Sequence, residues 1–270
     1  MDIDSILLSW QNIAITLGIF FILFGVLERA TPCNPGQRFW RKGWFVDLCY
    51  AFLIPLVNRV MMIALLIVGG FFVFYGNSPH EIDEYLQHGY GPLSELPVWA
   101  QSAIIVLVSD VMLYWIHRIF HTRRWWRFHA IHHSPEELNW LSTYRFHFIN
   151  TWCAFVLVDA TMILAGFSPA AVTLMATVNG LYSAMVHANL NWTFGKFGCL
   201  FASPVFHRWH HTSQEEGMDK NFAPTFPLLD IIFGTYYMPE GRMPEHFGVH
   251  GSKVPENFVD QQFWPFKQKY

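Results

Sequence analysis

The sequence predicts an all-α fold, a polytopic integral membrane domain with about four or five membrane-embedded helices. Three observations carry this expectation. Of 270 residues, 53% are hydrophobic and only 14% are charged, whereas a soluble domain carries about 25% charged residues. Aromatic residues make up 18%, including 12 Trp, and Trp and Tyr rings favour the membrane–water interface because they are apolar with a polar tip. The apolar residues also fall into long runs separated by polar loops.

The first run covers about residues 13–27 and the second about 48–74, the latter long enough to cross a ~30 Å hydrocarbon core with tilt. A third, about 98–116, is interrupted by Asp110. Two shorter runs, about 151–166 and 170–186, flank Phe167-Ser168-Pro169 and read as a helical hairpin that spans or re-enters the bilayer. After Met238, proline, glycine and charge interrupt the chain, so the tail reads as a loop-rich cap. We divide the chain into residues 1–97, with N-terminal transmembrane helices and loops, and residues 98–270, within one structural domain.

Loop charge gives the direction. Arg29, Arg38, Arg41 and Lys42 lie around the link between the first two runs. Glu81, Asp83, Glu84 and Glu95 follow the second run, with no Lys or Arg among them. The positive-inside rule places the first loop in the cytoplasm and the second outside. The third run then returns to the cytoplasm, where Arg118, Arg123, Arg124 and Arg127 follow. Met1-Asp2-Ile3-Asp4-Ser5 lacks the basic stretch of a cleavable signal peptide. Lys267-Gln268-Lys269-Tyr270 is no strong retention signal, which favours a bacterial inner membrane over the endoplasmic reticulum.

A net charge of −3 gives no reason to expect a nucleic-acid partner. Cys33, Cys49, Cys153 and Cys199 form no CxxC pair, which argues against a disulfide framework and a thiolate zinc site.

Histidine is the outlier: 10 of the 14 lie between His117 and His211. His117 and His121 form an i, i+4 pair. His129, His132 and His133 form an i, i+3, i+4 triplet, and His207, His210 and His211 repeat it. Residues three and four apart share a helix face, so each motif aims its imidazoles together. By chance an HxxHH triplet should arise about 0.04 times in such a chain. Neutral imidazole binds iron, zinc, copper or nickel. A structural zinc takes four ligands, so eight histidines suit two metals in a histidine-rich, metal-binding cap on the cytosolic side.

His187 is the ninth candidate. His147 is a further one, with a ligating or a structural role. His80 and His88 fall on the opposite membrane side, and His246 and His250 lie outside the cluster. Asp110, two helical turns before His117, is expected either to bond a ligand imidazole or to join helices, and Asp230 is a similar supporting candidate. Trp125, Trp126, Trp140, Trp192 and Trp209 either line a substrate tunnel or form an interfacial belt. Competing readings are a membrane zinc hydrolase and a non-catalytic metal transporter. HExxH and HxxEH are both absent, and Glu136 and Glu137 are the nearby candidates for a hydrolytic base. A transporter would hold its ligands at mid-membrane.

The succession HxxxH, HxxHH, HxxHH resembles the fatty acid hydroxylase / sterol desaturase superfamily. Asp110 and Tyr114 before His117-Arg118 resemble its D…Y..HR run, and Phe128 to Ser134 its FHxxHHS. His187-Ala188-Asn189 resembles its HxN element, Pro204 to His211 its PxxHRxHH, and Asp230 to Thr235 its closing WDxxFGT. The similarity covers about residues 109–236. Asn221-Phe222-Ala223 stands where the family often has Asn-Tyr-Gly, and Leu229 replaces a Trp.

The resemblance implies a helical membrane domain whose residues 98–270 form the catalytic region, with a metal site capped on the cytosolic side. It implies two iron ions, with O₂ as co-substrate, and oxidation of an unactivated C–H bond of a sterol, fatty acyl, alkylglycerol or related lipid, by hydroxylation or desaturation. No GxGxxG fingerprint, CxxCH haem attachment or ferredoxin-like cysteine run is present. An external electron donor (reductase, ferredoxin or cytochrome) is therefore expected. Arg123, Arg124 and Arg127 either dock an acidic carrier or serve as a positive-inside signal. The substrate is expected to be apolar and to arrive from the bilayer.

Overall fold

The computed structural model describes residues 3–251 and 253–268, with side chains from residue 10 onward. Met1-Asp2 and Lys269-Tyr270, used above for targeting, lie outside the described residues.

In chain order, α1 (Ile3–Ala30) and α2 (Trp44–Val73) are followed by short helices α3 (Pro79–His88) and α4 (Gly91–Ser94). Next come α5 (Val98–Phe120) and α6 (Arg123–His129). Helix α7 (Phe148–Thr151) continues through a π turn (Trp152–Val156) into α8 (Leu157–Leu164), and α9 (Pro169–His187) completes the hairpin. The cap contains α10 (Pro204–His210), α11 (Leu228–Ile232) and α12 (Phe258–Lys267). Among the described residues there is no strand, only one isolated antiparallel bridge between Thr212 and Phe247.

Four helices are long and apolar enough to cross a membrane: α1 from Trp10, α2, α5 and α9. The stretch Phe148–Leu164 is shorter, about 26 Å of helix at 1.5 Å per residue, less than a ~30 Å core. Only 11% of the most apolar window of α2 is buried. Its apolar side chains therefore suit lipid rather than a protein core.

Local sequence sets the helix boundaries. Ser78 and Glu81 form a reciprocal cap on α3, with Pro79 in the first turn. Ser168 and Ser203 cap α9 and α10, each followed by a proline whose missing N–H costs nothing there. The turn into α9 needs Gly166. Its φ is +101°, and a Cβ would sit 2.4 Å from the Tyr90 carbonyl oxygen.

The ends of α1, α5 and α9 and the start of α2 meet on one side of the bundle, where the connecting segments form the cap. Buried polar clasps tie these segments together. The Glu28 carboxylate accepts from the amides of Trp140 at 3.0 Å and Asn189 at 2.9 Å. Arg208 donates to the Leu138 carbonyl at 2.8 Å and to the Asn34 side chain. Asp47, at the start of α2, is paired with both Arg41 and Arg145.

Candidate metal centre

His117 lies in the last turn of α5 and His121 just after it. Helix α6 ends on His129, and the following turn carries His132 and His133. His187 closes α9. His207 and His210 lie on α10, with His211 at its C-terminus. The fold brings these nine side chains into two groups. His117, His121, His129, His133 and His210 form one, and His132, His187, His207 and His211 the other; within each, the potential ligand atoms lie within 4.8 Å of one another. The sequence neighbours His132 and His133 fall into different groups, as do His210 and His211. Successive helical residues point about 100° apart, so a tandem pair serves two centres.

The outer partners fix the ring tautomers. The Nδ1–H groups of His117, His132, His187 and His210 donate to the carbonyls of Phe222, Arg145, Ser183 and Lys220 at 2.8, 3.2, 2.7 and 2.7 Å. His129 Nδ1–H donates to Asn150 Oδ1 at 2.6 Å, and His121 Nδ1–H to Asp219 Oδ1 at 2.9 Å. A proton on Nδ1 leaves a lone pair on Nε2. The facing Nε2 atoms of His117 and His129 are 3.0 Å apart, and those of His132 and His187 are 3.1 Å apart. Two lone pairs at that distance repel unless a cation lies between them. The Nε2 atoms of His121, His133 and His210 are buried without a hydrogen-bond partner.

This donor set fits a transition metal. Metal–imidazole bonds of about 2.1 Å place ligands at right angles about 3 Å apart, and imidazole suits iron, zinc, copper and nickel. An outer acceptor on the far ring nitrogen is the usual support for such a ligand. Replacing Asn150 by Ala is therefore expected to weaken metal binding by about 10–100-fold, acting on the five-histidine group through His129. Metal titration of the chelated protein would measure this, and unchanged affinity would remove Asn150 from the site.

Burial also keeps the cap imidazoles neutral. It holds His121, His129, His132, His133, His207, His210 and His211 well below the ordinary value of 6.5. In the unfolded chain these rings take up protons near pH 6.5. Below that pH the unfolded state binds more protons, so the stability of the metal-free protein is lost as pH falls through 6.5 toward the depressed values. The melting temperature of chelated protein should be level from pH 8 to 7 and drop steadily from pH 6.5 to 5. A level profile down to pH 5 would contradict this account.

For the supporting residues whose role the sequence left open, the structure shows one role each. Asp110 does not touch an imidazole. It accepts from the amides of Thr225 at 2.9 Å and Phe226 at 3.2 Å, joining α5 to a cap loop. Asp230 likewise accepts from the amides of Phe222 and Ala223, both at 2.8 Å, and so acts on His117 only through the Phe222 carbonyl. His147 belongs to neither group: its Nε2–H donates to the Gln262 carbonyl at 3.0 Å, while Nδ1 caps α7 by accepting from the Ile149 amide at 3.1 Å. This is its structural role. Asn150 and Asp219, which do hold ligand rings, carry no motif that would have marked them.

An apolar cavity of about 110 Å³ reaches the histidines between α5, the π turn and α9. Leu113, Ile116, Phe146, Phe155 and Val186 contribute to its wall, and His117, His129, His132, His187 and His207 line it as well. None of the five tryptophans considered for a tunnel lines it. Trp140 stacks on Phe24, Trp209 packs with Cys33 and Val205, and Trp126 lies against His121 and His133. Glu136 and Glu137 line a separate, polar cavity.

Fold and site together define a helical membrane protein built around a buried double cluster of histidines. The family model "Fatty acid hydroxylase" matches residues 102–235, just under half of the chain, and this region, which holds all nine grouped histidines, is similar to members of the fatty acid hydroxylase / sterol desaturase superfamily. It is 29% identical over 174 residues to ornithine lipid hydroxylase OlsE of Rhizobium tropici, covering 64% of this chain and 52% of that one. It is 29% identical over 160 residues to alkylglycerol monooxygenase of Caenorhabditis elegans, covering 58% of this chain and 30% of that one. Methylsterol monooxygenase 1-2 of Arabidopsis thaliana is 24% identical over 146 residues, 52% of this chain and 48% of that one. The chain thus spans about half or less of these relatives. No solved structure matches.

Proposed function

We propose that the chain is an O₂-dependent lipid monooxygenase or desaturase with a di-iron centre held by the nine grouped histidines. The observation that carries this reading is the pair of four- and five-imidazole groups, five of whose rings line an apolar cavity among membrane-embedded helices. The similarity to ornithine lipid hydroxylase, alkylglycerol monooxygenase and methylsterol monooxygenase supports lipid as the substrate class. Bound iron would supply the redox chemistry, in which O₂ accepts two electrons from the C–H bond and two from an external donor.

The chain's own residues provide position and exclusion. The cavity between α5 and α9 admits an apolar chain from the bilayer and directs it at the Nε2 side of both groups. Phe146, stacked on His132 with ring centroids 3.8 Å apart, and Phe155 keep the approach apolar and exclude water. The outer oxygens hold six of the nine imidazoles in one tautomer, so those ligands need not reorganise. Loop charge supports a cytoplasmic cap, within reach of a soluble reductase, ferredoxin or cytochrome. Arg123 and Arg124 are exposed on that cap and suit an acidic carrier.

The test is O₂ uptake by iron-loaded protein in lipid nanodiscs. Uptake is expected only when lipid substrate and a reducing partner are both supplied, with one oxygenated or desaturated lipid formed per two electrons delivered. Lipid oxidation sustained without the donor would overturn the external-donor scheme. Hydrolytic products with no O₂ uptake would overturn the oxidation reading.

A further inference from the structure

We propose that Asn179 is a substrate-binding residue, and that the substrate carries an oxygen-bearing hydrogen-bonding group about 12 Å along the cavity from the carbon presented to the histidines. The second clause rests on the oxidation reading above; the binding site itself does not.

Asn179 lies close to the middle of α9, a helix that is unbroken from Pro169 to His187. It shares one stripe with Tyr182, Ser183, Val186 and His187, at offsets of three, four, seven and eight residues, and all five line the cavity. Eight residues of helix span about 12 Å, which places the amide well inside the bilayer relative to the histidine end.

The other polar side chains along this wall are occupied within the protein. The Tyr182 hydroxyl donates to the Ala202 carbonyl at 2.6 Å, and Ser183 pairs with Thr143 at 2.7 Å. Ser109 donates to the Val106 carbonyl at 3.2 Å, Asp110 holds two cap amides, and Asn150 holds His129. Asn179 is half-buried and makes no hydrogen bond among the described residues. A primary amide without a partner in hydrocarbon is costly, and polar groups inside a membrane usually mark a ligand path. The Asn179 amide both donates and accepts, so it suits a hydroxyl, an ether or a carbonyl oxygen on an otherwise apolar molecule. Leu113, Ile116, Phe155 and Val186 supply the apolar wall for the rest of such a molecule.

Binding of radiolabelled hexadecan-1-ol and hexadecane to iron-loaded protein in nanodiscs tests the proposal, each corrected for partition into empty nanodiscs. One hydrogen bond should give the wild type about a ten-fold preference for the alcohol. Asn179→Leu should bind the two probes equally, with unchanged iron content and an equal or higher melting temperature, because the unpaired amide has gone. An absent preference in the wild type would overturn the proposal, as would a preference that survives in a folded Asn179→Leu protein. If that variant does not fold, Asn179→Ala is read in the same way. The measurement needs no turnover. Alcohol selectivity that depends on Asn179 would stand even if O₂ uptake failed, and the two readings therefore fail separately.

Discussion

His132→Ala is expected to lower bound iron from about two per chain to about one, emptying the four-histidine group, while His133→Ala empties the five-histidine group. The two residues are adjacent, yet their ligand atoms belong to different groups. The pair His211 and His210 should behave in the same way, His211→Ala matching His132→Ala and His210→Ala matching His133→Ala. Loss of an outer hydrogen bond to a ligand already costs about 10–100-fold in affinity or activity, so loss of a ligand itself should exceed that, and lipid oxidation should fall to background in all four variants. Iron analysis with Mössbauer spectra of the remaining ion would distinguish the two half-occupied forms. If every variant lost both irons, or if His132→Ala and His133→Ala left the same spectrum, the division into two groups would be wrong.

The largest loss of stability is expected at Asp47, far from any motif. Its carboxylate is fully buried between the guanidinium groups of Arg41 and Arg145, themselves 1% and 5% exposed. Asp47→Ala would leave the two guanidinium groups without the carboxylate that pairs with both. Removing one partner from a buried ion pair costs about 3–5 kcal/mol, and the second arginine argues for the upper end. The damage should reach the metal site, because the Arg145 carbonyl accepts from His132 Nδ1–H. Denaturant titration in detergent would measure the loss, and iron content would report the coupled effect. A loss below about 1 kcal/mol would mean that water reaches the arginines.

The membrane helices were legible because hydropathy is a local property. The run at 48–74 became Trp44–Val73 and that at 98–116 became Val98–Phe120. The extra turn of α5 carries His117, whose polarity hid it from an apolar count. The histidines that spacing grouped are the ones the fold gathers, because i, i+3 and i+4 positions converge wherever the helix lies.

What could not be read was the partner of each ring. Four of the six Nδ1 acceptors are backbone carbonyls, which have no signature in sequence. Asp110 and Asp230 were ambiguous for the same reason: a carboxylate beside a motif looks alike whether it holds an imidazole or two amides. The five tryptophans were near the histidines in sequence, but ring packing turned them away from the cavity.

Arg208 sits inside the third histidine motif and is fully buried, clasping Leu138 and Asn34 across separations of 70 and 174 residues. At a synthesis rate of about 5–20 residues per second, Asn34 waits roughly 10–30 s for that partner. Neither histidine group is complete until His210 and His211 have been made. Assembly is thus ordered by the ribosome: the spans insert first, the loops between them stay open, and the last motif draws them shut. A metal ion that arrives during synthesis meets only partial sites, so the full complement of ligands is offered in one late step.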